Sequence, residues 1–234
     1  MTGLLAAGPP TAWQWIWDHR GVIGSRFLEH IELTVIAVGI GLAISIPLAI
    51  LAYRHGRAYG PLTWGTGLLY TIPSIALFAL LVPITGFSVT TAEIGLVSYT
   101  LLILIRNTVV GLQGVPEDVR EAARGMGYTP SQLLWRVEVP LALPAIMAGV
   151  RVATVSTIGL ITIAAIIGKG GLGQFILDGL TTFYIPEMLT GALLSVAFAL
   201  IADTLLLGAQ RVLTPWSVTR ARGVMPPRTA AMPI

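Results

Sequence analysis

The sequence predicts an all-α, polytopic membrane protein with five transmembrane helices. Of its 234 residues, 55% are hydrophobic and 11% are charged, whereas an ordinary soluble domain carries roughly 25% charged residues. A helix needs about 20 apolar residues to cross the hydrocarbon core of a bilayer. Five stretches of suitable length are present, at residues 31–53, 62–84, 94–112, 143–167 and 188–210.

The length of these stretches favours helices over strands. Inside a bilayer the backbone must satisfy its own hydrogen bonds, which leaves helices as the structure for runs this long. A barrel would instead show alternating segments of about 10 residues. Because the connections are short and no polar linker separates the stretches, we expect a single domain over residues 1–234, with its core at 30–210.

The composition excludes several kinds of functional site. The chain has no cysteine, so disulfides, thiolate metal sites and cysteine nucleophiles are absent. The three histidines are scattered, and no metal spacing or nucleophile–base set emerges. We therefore expect no metal, no cofactor and no catalytic residue. No basic residue precedes Arg20, so a cleaved signal peptide is not expected.

The arginines gather on one side of the predicted bundle. The positive-inside rule makes that side cytoplasmic, with the N-terminus outside and the C-terminus in the cytoplasm. An odd number of spans also places the termini on opposite sides. The predicted cytoplasmic side holds Arg54, Arg57, Arg120, Arg124, Arg136, Arg211, Arg220, Arg222 and Arg228, and the other side holds Arg20, Arg26 and Lys169.

Features at the two ends of the chain and inside the spans add detail. Trp13, Trp15 and Trp17 are expected to anchor the chain at the outer interface, with a partner-binding surface as the alternative. The tail 216–234 is expected to be disordered. Four glycines would let helices approach closely. They are Gly39 and Gly41 in the first span and Gly149 and Gly159 in the fourth.

The second span is interrupted by a proline. Pro73 removes a backbone hydrogen bond and is expected to kink the helix. Thr71 and Ser74 lie beside it. Interrupted spans near the midplane often line a transport route, so Pro73 and Ser74 are candidate pathway residues. A packing kink in a helix bundle is the alternative.

Residues 113–140 form a charged segment between apolar spans. Pro116 suits the first turn of a helix, and Glu117 and Asp118 favour the positive end of its dipole. Gly125 and Gly127 are expected to end this helix.

A second short helix should follow. Thr129 and Gln132 have the spacing of a capping box, and Pro130 lies at the first helical position. Pro140 and Pro144 would mark the return to the membrane. We therefore predict two short helices outside the bilayer, broken at a glycine, with a solvated loop as the alternative.

Asp203 lies inside the fifth predicted span. An acid in hydrocarbon usually faces protein or water, so we expect an ion pair between Asp203 and Arg106, or alternatively Arg151. A proton relay would require further aligned carboxylates within the predicted spans, and none is present.

Residues 168–171 do not make a phosphate loop. A Walker A motif needs glycine where Ile163 stands, and Ser or Thr where Gly170 follows Lys169. Energy must then come from a partner. Residues 168–171 are expected to form a flexible outer turn near the mouth of a pathway.

The segment that begins at Glu121 resembles the EAA loop of ABC (ATP-binding cassette) importer permeases. The pattern of that loop is Glu-Ala-Ala, three residues, Gly, nine residues, Ile, one residue and Leu-Pro. Val137 and Val139 stand where Ile and Leu are usual. The matching residues are Glu121, Ala122, Ala123, Gly127 and Pro140.

Other segments resemble the osmoprotectant branch of this class, which imports glycine betaine, carnitine, choline or proline betaine. These segments are residues 71–77, 105–108 and 164–173, within a resemblance that covers about 30–210. Methionine-type permeases share the EAA loop and a similar glycine-rich stretch. A methionine or other small-solute importer is therefore an alternative.

The resemblance implies the type I importer permease (MetI-like) fold in a bacterial inner or plasma membrane. The permease would not be an enzyme; an ABC ATPase subunit would dock on Glu121, Ala122, Ala123 and Gly127. A second permease subunit, identical or similar, and an extracytoplasmic substrate-binding protein would complete the importer, in contact with membrane lipid and without nucleic acid. An ion-coupled secondary transporter and a non-transporting scaffold are the rivals. The candidate pathway or gate residues are Pro73, Ser74, Asn107, Gly170 and Gly171.

Overall fold

The computed structural model describes residues 12–216, and every regular element in that range is a helix. The predicted disordered tail lies outside the described residues, apart from Trp216 at its start. The α-helices are α1 Ala12–Asp18, α2 Arg20–Arg54, α3 Gly56–Thr71, α4 Ser74–Thr85, α5 Val89–Gln113, α6 Glu117–Gly125, α7 Pro130–Leu133, α8 Val139–Ile163, α9 Gly173–Thr182 and α10 Ile185–Leu213.

Within residues 12–216, four uninterrupted helical stretches are long and apolar enough to cross a membrane. They are α2, α5, α10 and the continuous run Pro130–Ile167 that contains α8. The predicted second span is instead the pair α3 and α4, whose axes meet at 93°. The fold therefore has five spans if this bent pair counts as one.

Pro73 causes the break between α3 and α4. The residue before a proline avoids the helical region, and Ile72 is extended, with φ −64° and ψ 127°. Pro73 itself has no N–H to donate to the preceding turn. The predicted kink is confirmed, and it is a nearly right-angled turn rather than a bend.

The interior forms where α2, α5 and α8 pack against one another. One apolar cluster joins Leu33 of α2, Leu96 of α5 and Ile161 of α8 with Phe78 of α4. Two of the four predicted packing glycines serve this contact. Gly41 lies against Thr100, and Gly149 lies so close to Asn107 that an added Cβ would be 2.5 Å from the asparagine Cβ. Gly39 and Gly159 have no atom of the described chain at such a distance.

The tryptophans of α1 do not share one environment. Trp13 and Trp17 are exposed, as interfacial anchors would be, but only 7% of Trp15 is exposed. The Trp15 ring stacks on His19 at 4.4 Å and meets Phe175 edge-on at 5.8 Å. Trp15 is therefore a core residue that fastens α1 to α9, and the anchor interpretation fails for it.

The predicted second helix of the charged segment is the start of a span. The Thr129 capping box is confirmed, with hydrogen bonds of 3.3 Å from the Gln132 N–H and 2.9 Å to the Gln132 side chain. However, α7 continues through the π-helical turn Leu134–Glu138 into α8. Pro140 therefore lies inside this continuous helical run, directly after its π-helical turn. Pro140 and Pro144, which were expected to mark the return to the membrane, both lie inside α8, with no break between it and α7.

Candidate functional site

Helix α6 presents the predicted coupling residues at one end of the bundle. Glu121 and Ala122 are exposed, as is Gly127 just beyond the helix. Ala123 faces the other way and is only 1% exposed. A partner could touch Glu121, Ala122 and Gly127 directly, whereas Ala123 holds α6 against its own chain. Ala123, which the resemblance places among the docking residues, is therefore not open to a partner.

A Schellman motif ends α6. The Gly127 N–H donates to the carbonyl of Arg124 at 2.9 Å, and the Tyr128 N–H donates to that of Ala123 at 3.1 Å. These are the two bonds of that motif, which needs a left-handed residue after the helix. Gly127 supplies it with φ 83°. An added Cβ would meet no atom within 4 Å, so glycine is required here for backbone conformation and not for space.

Arg120 joins α6 to the membrane helices. Its Nε donates to Glu138 Oε1 at 3.0 Å, and its Nη2 donates to the carbonyl of Leu112 at 2.7 Å. The hydroxyl of Tyr53 donates to the same Glu138 oxygen at 2.6 Å. We call Arg120, Glu138, Tyr53 and the Leu112 carbonyl the Arg120 network. It ties α6 to α2, to the end of α5 and to the turn that leads into α8.

The Arg120 network is largely shielded from solvent. The side chains of Arg120 and Glu138 are 13% and 7% exposed. A charge in such a place needs a partner, because burying an unpaired one is strongly unfavourable. Sequence reasoning missed this network. Arg120 and Glu138 are 18 residues apart, and in the sequence neither differs from the solvated charges around it.

Glu117 adds an exposed pair of contacts on the same helix. Its carboxylate accepts from Arg120 at 2.9 Å and from Arg124 at 2.8 Å. These two hydrogen bonds lower the pKa of the Glu117 carboxyl from its ordinary value. Exposed ion pairs contribute little to stability, so Glu117 orients the arginines more than it holds the fold.

A cavity of about 320 Å³ lies at the break between α3 and α4. The hydroxyl of Tyr99 donates to the carbonyl of Ile72, at the extended residue of the break. The predicted pathway residues Pro73 and Ser74 both line this cavity. Its full lining is Tyr70, Thr71, Ile72, Pro73, Ser74, Tyr99, Ser156 and Leu160.

Asn107, Gly170 and Gly171 lie elsewhere. Asn107 packs against Gly149 between α5 and α8, and its side chain donates to the carbonyl of Ile103 at 2.8 Å. An added Cβ on Gly170 would lie 2.5 Å from Ala165, and one on Gly171 would lie 2.7 Å from the His30 Cβ. The five predicted pathway residues therefore do not converge on one site.

The glycine-rich stretch is a packed clamp and not a flexible turn. His30 of α2 reaches across it. One nitrogen of its ring lies 3.1 Å from the carbonyl of Ile158, and the other accepts from the N–H of Leu172 at 3.3 Å. Gly168 and Gly171 have φ 71° and 50°, which lets the chain turn, and Gly171 does so against His30 while Gly168 is exposed. The prediction of a flexible turn is therefore wrong, because residues 170–172 pack against α2 and α8.

Asp203 pairs with Arg151 and not with Arg106. The Arg151 Nε donates to Asp203 Oδ1 at 2.9 Å and Nη2 donates to Oδ2 at 2.8 Å. Helix α10 packs mainly against α8 and α9, which brings Asp203 to Arg151, while Arg106 on α5 is exposed. The predicted pair with Arg106 is wrong, and the alternative partner is the observed one.

The Arg151–Asp203 pair opens into a second cavity of about 410 Å³. The two side chains are 25% and 36% exposed. Ser156 lines this cavity as well as the one at the α3–α4 break. The two cavities therefore adjoin at Ser156 on one side of α8, and we call their combined lining, which carries Arg151, Ser156 and Asp203 among apolar residues, the α8 polar face.

A further acid lies inside the bundle. Glu93 is 8% exposed, and its carboxylate oxygens have no hydrogen-bond partner among residues 12–216. It escaped the sequence analysis because α5 begins at Val89, before the predicted span. Across the described residues, no group of three or more His, Asp or Glu side chains has a metal-binding arrangement.

Comparisons with known proteins point to one family. Residues 38–218 match the family described as "Binding-protein-dependent transport system inner membrane component". The chain is 41% identical over 203 residues to the osmoprotectant import permease protein OsmW of Salmonella typhimurium, covering 85% of this chain and 94% of OsmW. It is 35% identical over 210 residues to the choline transport system permease protein OpuBB of Bacillus subtilis, covering 89% and 96%.

A third relative and a solved structure are also similar to this chain. The glycine betaine/carnitine/choline transport system permease protein OpuCB of Bacillus subtilis is 36% identical over 188 residues, covering 80% of this chain and 86% of OpuCB. An inward-facing structure of the MetNI methionine ABC transporter superposes with a TM-score of 0.75 at 21% identity, covering 88% of this chain and all of that one. At this identity the likeness concerns the fold alone.

Proposed function

Since the chain belongs to the family of binding-protein-dependent transport system inner membrane components, we propose that it is the permease subunit of an ATP-driven ABC importer for osmoprotectants. The similarity to OsmW, OpuBB and OpuCB supports this substrate class. The mechanism rests on the position of helix α6. This helix exposes Glu121 and Ala122, while the Arg120 network holds it to three membrane helices.

In this proposal, a separate ATPase subunit docks on α6. Glu121, Ala122 and Gly127 form the contact, and Ala123 keeps the helix seated on the permease. Because α6 is tied to α2, α5 and the start of α8, a movement of the ATPase subunits would move these helices together. ATP hydrolysis occurs on the partner, and this chain acts as a single-domain permease.

A second permease subunit, identical or similar, completes the pathway. The α8 polar face supports this assembly, since the Arg151–Asp203 pair and Ser156 would be unfavourable against lipid tails. This face would line the route between two subunits, and lipid would cover the apolar outer surface of α10. An extracytoplasmic binding protein would deliver the solute, with the N-terminus outside and the C-terminus in the cytoplasm.

Reconstitution tests the proposal. The permease, its ATPase and its binding protein are placed in liposomes, and ATP-dependent uptake of labelled glycine betaine, choline, carnitine and methionine is measured. Uptake of quaternary amines is expected. Uptake of methionine alone would contradict the proposed substrate class.

Two charge reversals then test the coupling helix. Glu121→Lys is expected to abolish uptake and capture of the ATPase. Asp118→Lys makes the same change at another exposed acid of α6 and is expected to retain most of both. Full uptake by the Glu121 variant would contradict the role assigned to α6.

A further inference from the structure

The cavity at the α3–α4 break has two aromatic walls. The rings of Tyr70 and Tyr99 have centroids 5.7 Å apart and planes inclined at 69°. Tyr99 is buried and its hydroxyl is held by the carbonyl of Ile72, so its ring is fixed in place. Tyr70 is 44% exposed. Two rings at such an angle form a corner in which a rounded group can contact both.

Two helix ends border this corner, the C-terminal end of α3 and the N-terminal end of α4. Helix α3 ends at Thr71, and both Thr71 and Ile72 line the cavity. The last carbonyls of a helix lack intrahelical partners and carry the negative end of its dipole. No basic side chain is among the lining residues. A cation on the α3 side of the cavity would therefore meet aromatic faces and backbone oxygens, whereas the N–H groups at the start of α4 favour an anionic group.

The polar groups of the cavity are available to a ligand. The hydroxyls of Ser74 and Ser156 line it, and neither makes a hydrogen bond within residues 12–216. Such a group is unfavourable in a dry apolar setting, so this surface suits water or a polar solute. Arg151 lies on the same helix as Ser156, about 7.5 Å away along the axis, and also borders the α8 polar face.

We propose that the corner formed by Tyr70 and Tyr99 is a transient site for the quaternary ammonium group of the transported solute. The two rings contact the methyl groups by cation–π attraction. Ser156, which lines both cavities, lies on the side that the carboxylate of a betaine would face. The inference rests on the proposed function and adds to it the place where the permease itself recognises the solute.

The test uses the complete transporter with its ATPase and binding protein. Tyr70→Phe keeps the aromatic face, while Tyr70→Leu removes it. The Leu variant is expected to lower choline and glycine betaine uptake roughly tenfold, the size of one desolvated cation–π contact, and the Phe variant to retain most of it. Tyr59→Leu is the matched control, because Tyr59 lies on the same helix but packs in an apolar cluster away from the cavity.

A direct binding measurement removes the contribution of the binding protein. Tetramethylammonium is added to the detergent-solubilised permease–ATPase complex, and its contact with the protein is followed by saturation-transfer NMR. Wild type and Tyr70→Phe should bind it and Tyr70→Leu should not. The neutral carbon analogue of choline, 3,3-dimethylbutanol, should not compete. Retained ATPase capture by each variant shows that it is folded.

The outcomes separate the two proposals. If wild type imports quaternary amines but Tyr70→Leu matches Tyr59→Leu in uptake and tetramethylammonium contact, the site is refuted and the proposed function stands. Equal competition by 3,3-dimethylbutanol would also refute cation recognition. If wild type imports no quaternary amine, the proposed function fails. If Tyr70→Leu does not fold, Tyr99→Phe decides: it keeps the ring but loses the bond to Ile72, and unchanged binding and uptake would overturn the fixed corner.

Discussion

The Arg120 network and the α8 polar face are both polar regions, but their polar groups are partnered to different degrees. In the network, Glu138 is held by Arg120 and Tyr53, and Arg120 also reaches a backbone carbonyl. On the polar face, the hydroxyls of Ser74 and Ser156 line cavities without a partner among the described residues. A region whose polar groups are all partnered can transmit movement as one body. A region with unpartnered hydroxyls can instead form hydrogen bonds with a passing solute.

The largest expected effect on stability comes from breaking the Arg120 network. Arg120→Met leaves the buried carboxylate of Glu138 without its ionic partner, and a hydrogen bond to a charged group is worth about 1.5–3 kcal/mol. We expect lower thermal stability of the purified complex and a roughly tenfold loss of coupled import.

The control for this change is Arg124→Met. Arg124 lies on the same helix, but its side chain is 56% exposed, and exposed pairs contribute about 0–1 kcal/mol. The double variant Arg120→Met and Glu138→Met should lose less stability than the sum of the losses in the two single variants. Equal stability and import for the Arg120 and Arg124 variants would show that the Arg120 network neither stabilises the fold nor supports coupled import.

A smaller effect is expected at the end of α6. Gly127→Ala forces a left-handed conformation on a residue with a Cβ, at a penalty of about 1–2 kcal/mol. Gly125→Ala lies inside the helix, where alanine is favoured, and also has open space around an added Cβ. The Gly127 variant should therefore lose ATPase affinity and uptake while the Gly125 variant keeps both. A pull-down titration in which the Gly125 variant loses more ATPase affinity than the Gly127 variant would contradict the capping role of Gly127.

Sequence reasoning was most successful for local features of the chain. The capping box at Thr129, the glycine end of α6 and the break at Pro73 each depend on residues within a few positions of one another. The burial of Ala123, the clamp around His30 and the choice of Arg151 over Arg106 depend on which helices become neighbours. Hydrophobic runs give the number of spans but do not state which faces meet, so these features needed the structure.

On the polar face, the Arg151–Asp203 pair should matter for folding more than for recognition. Asp203→Leu leaves Arg151 without its carboxylate, so the amount of folded protein in the membrane should fall. Adding Arg151→Leu should restore it, since a pair can often be replaced together by apolar residues. Arg106→Leu is the control, and fluorescence-detected gel filtration gives the readout. Failure of the double variant to recover would indicate a role beyond pairing.

The smallest effect concerns pH at the exposed edge of the network. Arg120 and Arg124 lower the pKa of Glu117, so this carboxylate stabilises the fold above its unfolded pKa. That contribution is lost as pH falls through the lower folded pKa. Glu117→Gln should therefore reduce the acid-induced loss of thermal stability slightly. A larger acid sensitivity in the variant would contradict the assigned direction.

The central claim is that α6 grips a separate ATPase with one face and its own chain with the other. The chain has no cysteine, so single cysteines carrying a photo-crosslinker can be placed at Ala122, at Ala123 and, as a labelled control at the far end of the bundle, at Thr182. The account predicts ATP-sensitive crosslinks to the ATPase from position 122, none from buried position 123, and labelling without crosslinking at position 182. Equal crosslinking from positions 122 and 182, or none from position 122 in an active transporter, would contradict it.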